Sequence, residues 1–372
     1  MTVKKLTIKN FRNIKSMTLC PHDKYNLIYG KNAQGKTSVL EALWMLSGCK
    51  SFRASKEVSA VNHGAEMFEL EMECFDERDY TVSFKSDGVC RDIFINKVKS
   101  DKQTLFDSFK CILFTPADVE LIRGSPEKRR DFIDLCNSQL FSGYSKTVRE
   151  LRKLLKQRNT AIRQINFGNG SSEVLASFNA GYAYACVQTV LRRGDYIQSL
   201  DKLAGRVYNE ISGGSERLRI EYVPSRTAYS PELKTAAGNT AACEELYAYL
   251  CSPAARRDEL NAGYTVVGPH KDDIRITVDG FSSREFASQG QQKSAALSLK
   301  LAQAYICRKM NNARPVVLLD DVMGELDSFR RNVVYNIVRD MQVFITSCNR
   351  DAFKHSELMK EFEIGAGDIL SG

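Results

Sequence analysis

The sequence predicts an α/β fold, a mixed sheet with an antiparallel β meander, interrupted by a mainly helical second lobe that contains a short helical hairpin. Three observations predict it. Up to about residue 110 the apolar positions alternate, in Phe68, Leu70, Met72 and Cys74 and again in Tyr80, Val82 and Phe84, around a polar turn from Asp76 to Asp79. From about 117 to 260 the apolar spacing turns helical. Beyond that, buried strands and amphipathic helices alternate again. The expected division is 1–116, 117–264 and 265–372, the first and third segments forming one lobe and the middle segment the other.

Within the meander lies one unit of a different kind. A short strand from Tyr25 to Tyr29 leads through a glycine-bounded loop into a helix from about Lys36, with Val39, Leu40, Leu43 and Leu46 on one face. In the helical lobe, Val148, Leu151, Leu155, Ile162 and Ile165 fall on a and d positions between Tyr144 and Asn166, with Arg158 as the one break. A Gly-Asn-Gly-Ser-Ser turn and a second helical stretch from about Glu173 to Ile211 complete an antiparallel hairpin, too short for a long coiled coil. Gly213 to Ser215 and the stretch 224–231 read as connecting loops. Near the end, Arg314-Pro315 introduces an apolar strand, Val316 to Asp321, that ends in acids. A helix from Ser328 to Met341 and a buried strand from Val343 to Thr346 follow, which makes a βαβ unit with charges at the carboxyl end of its first strand.

Composition removes several function classes. No apolar stretch of the 372 residues approaches the roughly 20 needed to span a bilayer, and mean hydropathy is −0.32. The opening MTVKKLTIKNF has no greasy run after its lysines, so no secretory signal is expected and a cytoplasmic location is. The 11 cysteines form no C-x-x-C, and the 4 histidines form no H-E-x-x-H, which argues against disulfide scaffolds and zinc chemistry. Net charge is +8, and residues 121 to 165 hold nearly all of it, with Arg129, Arg130, Arg149, Arg152, Lys153 and Lys156 among their cations. Such a run is either the wet face of a helix or a surface for a phosphate backbone; with few aromatics interleaved it does not signal base stacking on single strands.

Three motifs carry chemistry. Gly30-Lys31-Asn32-Ala33-Gln34-Gly35-Lys36-Thr37 matches G-x-x-x-x-G-K-[ST] between a predicted strand and a predicted helix. Backbone N–H groups of such a loop cradle phosphates, the Lys36 ammonium reaches the terminal ones, and the Thr37 hydroxyl is a ligand for Mg²⁺. Asp320 and Asp321 close the apolar strand, Asp320 as the metal-side carboxylate and Asp321 as the base that orients or deprotonates water; paired acids there can also simply cap the next loop. Ser288-Gln289-Gly290-Gln291-Gln292-Lys293 opens a long helix, either as a capping box or as an anion site for a γ-phosphate.

Together these motifs resemble the ABC-type ATPase heads of the SMC and DNA-repair group, and most closely the RecF family of bacterial recombination mediators. Asn10-Phe11-Arg12, Ser51-Phe52-Arg53, Gly124-Ser125-Pro126 with Arg129-Arg130, Gly268-Pro269-His270-Lys271-Asp272-Asp273 and the run from Asp320 to Asp327 fit the same pattern, so the resemblance covers nearly the whole chain. It implies an ABC-type P-loop ATPase head that binds ATP and Mg²⁺, in which Ser288, Gly290 and Gln291 of one subunit reach the triphosphate held by Lys36 and Thr37 of another. Arg12 would either stack on adenine or remain a solvated charge. The resemblance further implies an ATP-dependent homodimer on double-stranded or gapped DNA, a weak DNA-dependent ATPase that acts as a release switch, and RecR and RecO-type mediator proteins as partners in loading recombinase. DNA damage, the SOS response and replication restart are the implied setting.

The chain departs from the pattern in places. Asp321 stands where transporter-type ABC proteins carry Glu, Gly324 where a Ser is common, and Thr346-Ser347 follow the next strand with no His; Asn62 is the candidate for the Q-loop position. His270, Asp272 and Asp273 read as a turn network and not as metal ligands. A P-loop small-molecule kinase would lack the Ser288 helix, an SMC-type tether would need a far longer hairpin, and a nuclease of the overcoming-lysogenisation type would need a further acidic domain.

Overall fold

The computed structural model describes residues 1–54, 56–225, 236–311, 314–350 and 359–371. The chain divides into two compact units, Met1–Asp118 with Leu297–Gly372, and Val119–Ala296.

The first unit contains β1 (Thr2–Phe11), β2 (Ile14–Leu19), β3 (Tyr25–Tyr29), α1 (Lys36–Leu46), β4 (Phe68–Asp76), β5 (Arg78–Ser86), β6 (Arg91–Ile95), β7 (Val98–Ser100), α2 (Lys102–Ser108) and β8 (Cys111–Phe114). The second contains α3 (Glu120–Arg123), α4 (Pro126–Leu140), α5 (Tyr144–Asn166), α6 (Ser172–Ser177), α7 (Asn179–Ile211), β9 (Leu218–Val223), α8 (Ala236–Cys251), α9 (Pro253–Ala262), β10 (Asp273–Val278) and β11 (Phe281–Ser282). Helix α10 (Gln289–Asn311) starts there and continues into the first unit, which ends with β12 (Val316–Leu319), α11 (Ser328–Val338), β13 (Val343–Ser347), β14 (Met359–Gly365) and β15 (Asp368–Ser371).

Two sheets build the first unit. The meander is antiparallel in the order β2-β1-β4-β5-β6-β7. Phe68, Leu70, Met72 and Cys74 face its core, while Glu69, Glu71 and Glu73 face outward as period-two alternation requires. Strand β1 keeps Val3, Leu6 and Ile8 on that core only because a bulge between Val3 and Lys5 resets the alternation. The expected Asp76–Asp79 turn is tighter in the structure: Asp76 pairs with Arg78 across the ladder, and Glu77 alone turns, at a φ of 61°. The other sheet runs β15-β14-β3-β13-β12-β8, parallel throughout except at β15. Strands β12 and β13 are buried along their whole length, which explains why they read as unbroken apolar runs. Parallel order sends the carboxyl ends of β3, β13 and β12 to one edge, where α1 begins.

The expected boundary at 264/265 moves to 296/297. Strand β10 pairs along its length with β9, so 265–296 are tied to the helical unit by a sheet that local spacing does not announce. The helical stretch expected from Glu173 is two helices, α6 and α7, separated at Phe178. Ser171 caps α6 by accepting from the Glu173 N–H at 3.1 Å, and Asn179 opens α7 with its amide turned to Arg158 and to the Leu250 carbonyl. Arg158, the break in the heptads, is fully buried and makes a two-pronged ion pair with Glu259 at 2.8 and 2.7 Å. Part of the 224–231 loop, from 226 on, lies outside the described residues.

The segment from Gly268 to Asp273 ties the second unit together. Arg193 donates to the Pro269 carbonyl at 2.7 Å and pairs with Asp134 at 2.9 Å; Asp272 accepts from Tyr222 and from the Ser225 N–H. Asp273 accepts from Arg129 at 2.8 and 2.9 Å. His270 Nε2 lies 3.0 Å from the Thr265 carbonyl and Nδ1 3.2 Å from the Tyr182 hydroxyl. Burial lowers this imidazole from the ordinary 6.5 to about 4. As pH falls from 6.5 toward 4 the unfolded chain takes up a proton that the folded chain refuses, so folding stability declines across that window. Burial raises Asp272, which acts in the opposite sense. Urea titrations of wild type and His270→Gln at pH 7 and pH 5 are expected to show a smaller acid loss in the variant, because Asp272 is common to both.

Candidate phosphate-binding site

The loop from Gly30 to Thr37 joins β3 to α1, and two of its residues must be glycine. Gly30 and Gly35 hold φ of 149° and 115°, and a Cβ on Gly30 would stand 2.3 Å from the Ile364 carbonyl oxygen. The β14–β15 turn pins the loop from outside: Gly367 N–H donates to the Gln34 carbonyl at 3.0 Å and Ala366 N–H to the Gln34 side chain at 2.5 Å. Asn13 adds a bond to the Ala33 carbonyl at 3.3 Å and accepts from Ser38 at 3.2 Å. No side chain caps α1, so the first N–H groups of the helix are left for a ligand. The loop is a preformed anion cradle.

Lys36 is buried, and its Nζ donates to the carbonyls of Gly30 and Lys31 at 2.7 and 3.0 Å. Thr37 donates to Asp320 Oδ1 at 2.9 Å, and Thr346 donates to the same oxygen at 2.8 Å. Strand β13 lies between β3 and β12, which is why Thr346 at its end stands between the loop and the acids. The Thr346 oxygen also accepts from the Asp321 N–H at 2.9 Å, and Asp321 has a φ of 52°. Burial raises the Asp320 carboxyl above its usual range, and the two hydroxyls only partly offset this. A cation placed there would favour the charged form of the carboxylate. A hydroxyl and a hard carboxylate form a donor set suited to magnesium.

Beside the loop opens a cleft of about 580 Å³ whose lining includes Arg12, Lys36, Thr37, Arg53, Asn62 and Asp321. Arg12 is clamped by Glu41, with Nε and Nη2 donating to its carboxylate at 3.0 and 2.6 Å. Arg53 donates to Ser38 at 3.3 Å. The Asn62 amide is taken by the Arg12 carbonyl, so this candidate Q-loop side chain serves the backbone of the turn.

The Ser288 motif belongs to the second unit, and the loop and acids belong to the first. Its capping box forms: Gln291 N–H donates to Ser288 Oγ at 3.2 Å and the Ser288 N–H to Gln291 Oε1 at 2.7 Å. Gln291 also donates to Glu216 at 2.8 Å, and Gln292 turns inward to the Ser283 carbonyl at 3.0 Å. Ser288 and Gly290 are exposed, and a Cβ on Gly290 would meet nothing closer than Ser288 Oγ at 3.9 Å. Internal packing therefore gives no reason for glycine at 290.

Comparisons with known proteins agree with this geometry. Residues 2–364 match the RecF/RecN/SMC N terminal domain family. The chain is 31% identical over all of its length to DNA replication and repair protein RecF of Ruminiclostridium cellulolyticum, covering 100% of that protein. It is 34% identical to RecF of Desulforamulus reducens over 93% of this chain and 92% of that one. The chain belongs to the RecF family. A solved structure of the recombination mediator protein RecF with ATP, from the RecFOR pathway, superposes on this RecF-family chain with a TM-score of 0.89 at 31% identity, covering 100% of this chain and 98% of that chain. An Smc head bound to the C-winged helix domain of ScpA, 14% identical over 99% of this chain and 96% of that one, matches with a TM-score of 0.55, which speaks for the fold alone.

In this RecF-family chain two arginines of the expected DNA-binding set change meaning. Arg129 is buried and spent on Asp273 and the Gly124 carbonyl, so it is not a surface cation; Arg130 donates to the Asp272 carbonyl at 2.8 Å. Arg152 pairs with Asp131 at 2.9 Å and Lys153 lies 3.8 Å from Glu150, while Arg149 and Lys156 are exposed. Sequence reading also passed over Glu41, Asn13 and the role of Thr346. Glu41 left one signal, since it follows Thr37 by one helical turn and so shares its face of α1. Thr346 and Asn13 reach the loop only through strand order and a β-turn, which no local pattern encodes.

Proposed function

We propose that this chain is an ATP-dependent DNA-binding protein of recombinational repair and replication restart, a weak DNA-dependent ATPase in which ATP joins two copies and hydrolysis releases them. The observation that carries the reading is the meeting of the Thr37 and Thr346 hydroxyls at one Asp320 oxygen, under a glycine loop with Lys36 at its centre. Lys36 exchanges its two carbonyl acceptors for terminal phosphate oxygens. Thr37 and Asp320 hold magnesium, which when bound neutralises triphosphate charge. Asp321, on the rim of the cleft, orients water for attack, and being a methylene shorter than Glu it suits a slow switch. Ser288, Gly290 and Gln291 serve a triphosphate held by a second copy, which gives the exposed first turn of α10 and its unexplained glycine a purpose.

The DNA surface is the exposed stripe of α5. Lys146, Arg149, Lys153 and Lys156 recur at intervals of three and four residues, one face of a helix, opposite the buried Val148, Leu151 and Ile162. These cations track a phosphate backbone and read no sequence. RecR- and RecO-type mediators are the partners with which such a protein would load recombinase on DNA.

Sedimentation with and without ATP and duplex DNA tests the reading. A dimer that forms only with ATP, and a DNA complex that follows it, are expected. About four neutralised phosphates give a slope of log K against log salt near −3.6, so affinity falls on the order of 100-fold from 50 to 200 mM salt. A flat salt response would remove α5 as the DNA surface, and a monomer at saturating ATP would remove the shared-site switch.

A further inference from the structure

Among the described residues Glu41 is the fully buried carboxylate that touches two cations of the cleft, and phosphate chemistry gives it no direct task. Four of the five donor hydrogens of Arg12 are spent in the plane of its guanidinium: two on Glu41, one on Ser51 Oγ at 3.2 Å and one on the Ser59 carbonyl at 2.6 Å. Ser51 in turn donates to Glu41 at 2.5 Å, and Arg53 stands 3.7 Å from the same carboxylate. An arginine held this way has almost no fork left for a phosphate. One face of that guanidinium lies over the Phe11 ring, 6.0 Å from its centroid; what it still offers, where Arg12 lines the cleft, is the other face, and a guanidinium face attracts an aromatic ring.

We propose that Glu41 is the positioning residue of the nucleotide cleft, holding Arg12 edge-on to the protein so that its face receives the purine base and its charge stays off the triphosphate. This rests on the reading of the cleft as an ATP site. Both ends of the nucleotide are then set by one helix: Thr37 faces the phosphate end, and Glu41, one turn later, fixes the arginine at the base end. The carboxylate also spaces the cations. Freed from Glu41, Arg12 would be drawn to the phosphates that Lys36 already serves, and its contact with the base would be lost.

The test compares two ligands on the full chain, ATP and inorganic tripolyphosphate, which shares the phosphates and lacks the base. Loss of a single stacking contact predicts that Glu41→Gln binds ATP about tenfold more weakly than wild type, with tripolyphosphate affinity unchanged or higher. Arg12→Lys, which keeps a charge for Glu41 but removes the planar face, is expected to show the same split, and it carries the test by itself if Glu41→Gln does not fold. Equal losses for both ligands, or no loss of ATP affinity, would overturn the proposal, because a carboxylate that merely supports the fold cannot tell them apart. Wild-type protein that binds neither ligand would instead sink the ATP reading beneath it.

Discussion

Replacing Lys36 by Met is expected to weaken ATP binding by about 100- to 1,000-fold, as for the loss of one partner in a buried, hydrogen-bonded charge pair, and with it to abolish ATP-dependent dimerisation. The ammonium sits within the loop, bonded to the Gly30 and Lys31 carbonyls, so it is already placed where phosphate charge would gather. Methionine fills similar volume, so the defect is confined to the lost ammonium and its two bonds to the loop carbonyls. Ser288→Arg should leave ATP binding intact and still prevent assembly if, as proposed, the motif serves the other half of a shared site. The two variants together decide the matter. Mixed in equal amounts with ATP, they can form one complete site from an intact Ser288 on the first and an intact Lys36 on the second, and heterodimers should appear in sedimentation where neither variant dimerises alone. If each variant were defective for its own internal reason, mixing would restore nothing.

The parts of the molecule that were legible in sequence are those written at short range. The phosphate loop, the acids after β12 and the Ser288 capping box each fit within eight residues, and strand or helix periodicity around them needs no partner to be seen. Long-range pairing hid the rest. Arg129 reads as one of a run of surface cations until Asp273, 144 positions away, is placed against it. The boundary at 296/297 depends on β10 finding β9, and those strands are separated in sequence by α8 and α9. Charge counting treats every Lys and Arg as solvated; only the fold tells which ones are spent. The stripe on α5 survives that subtraction because its members follow the helical period away from the core, whereas Arg158, on the opposite face of the same helix, does not.

Arg158 itself is expected to be among the most costly side chains to remove. Arg158→Met should destabilise the full chain by about 3–5 kcal/mol in urea denaturation, because it strands Glu259 as a buried charge without its partner. Burial already raises the Glu259 carboxyl even with the guanidinium present. A raised acid favours the folded state when protonated, so its penalty grows as pH rises through the elevated value and shrinks as pH falls toward the ordinary one. The defect in Arg158→Met should accordingly be smaller at pH 5 than at pH 8, which a cavity or a lost methylene contact would not produce. Replacing both residues, as Arg158→Met with Glu259→Leu, should recover much of the loss, since two apolar groups of similar volume need no partner. Arg158 breaks the apolar pattern of α5 at a single position and Glu259 answers it from α9, 101 residues away, so the pair fixes one register between those helices that an all-leucine seam would leave free to slide. If the double variant regains stability yet gives broader side-chain NMR signals around α5 and α9, the ion pair serves register more than stability, and the charge in the middle of an apolar stripe is there to choose among packings.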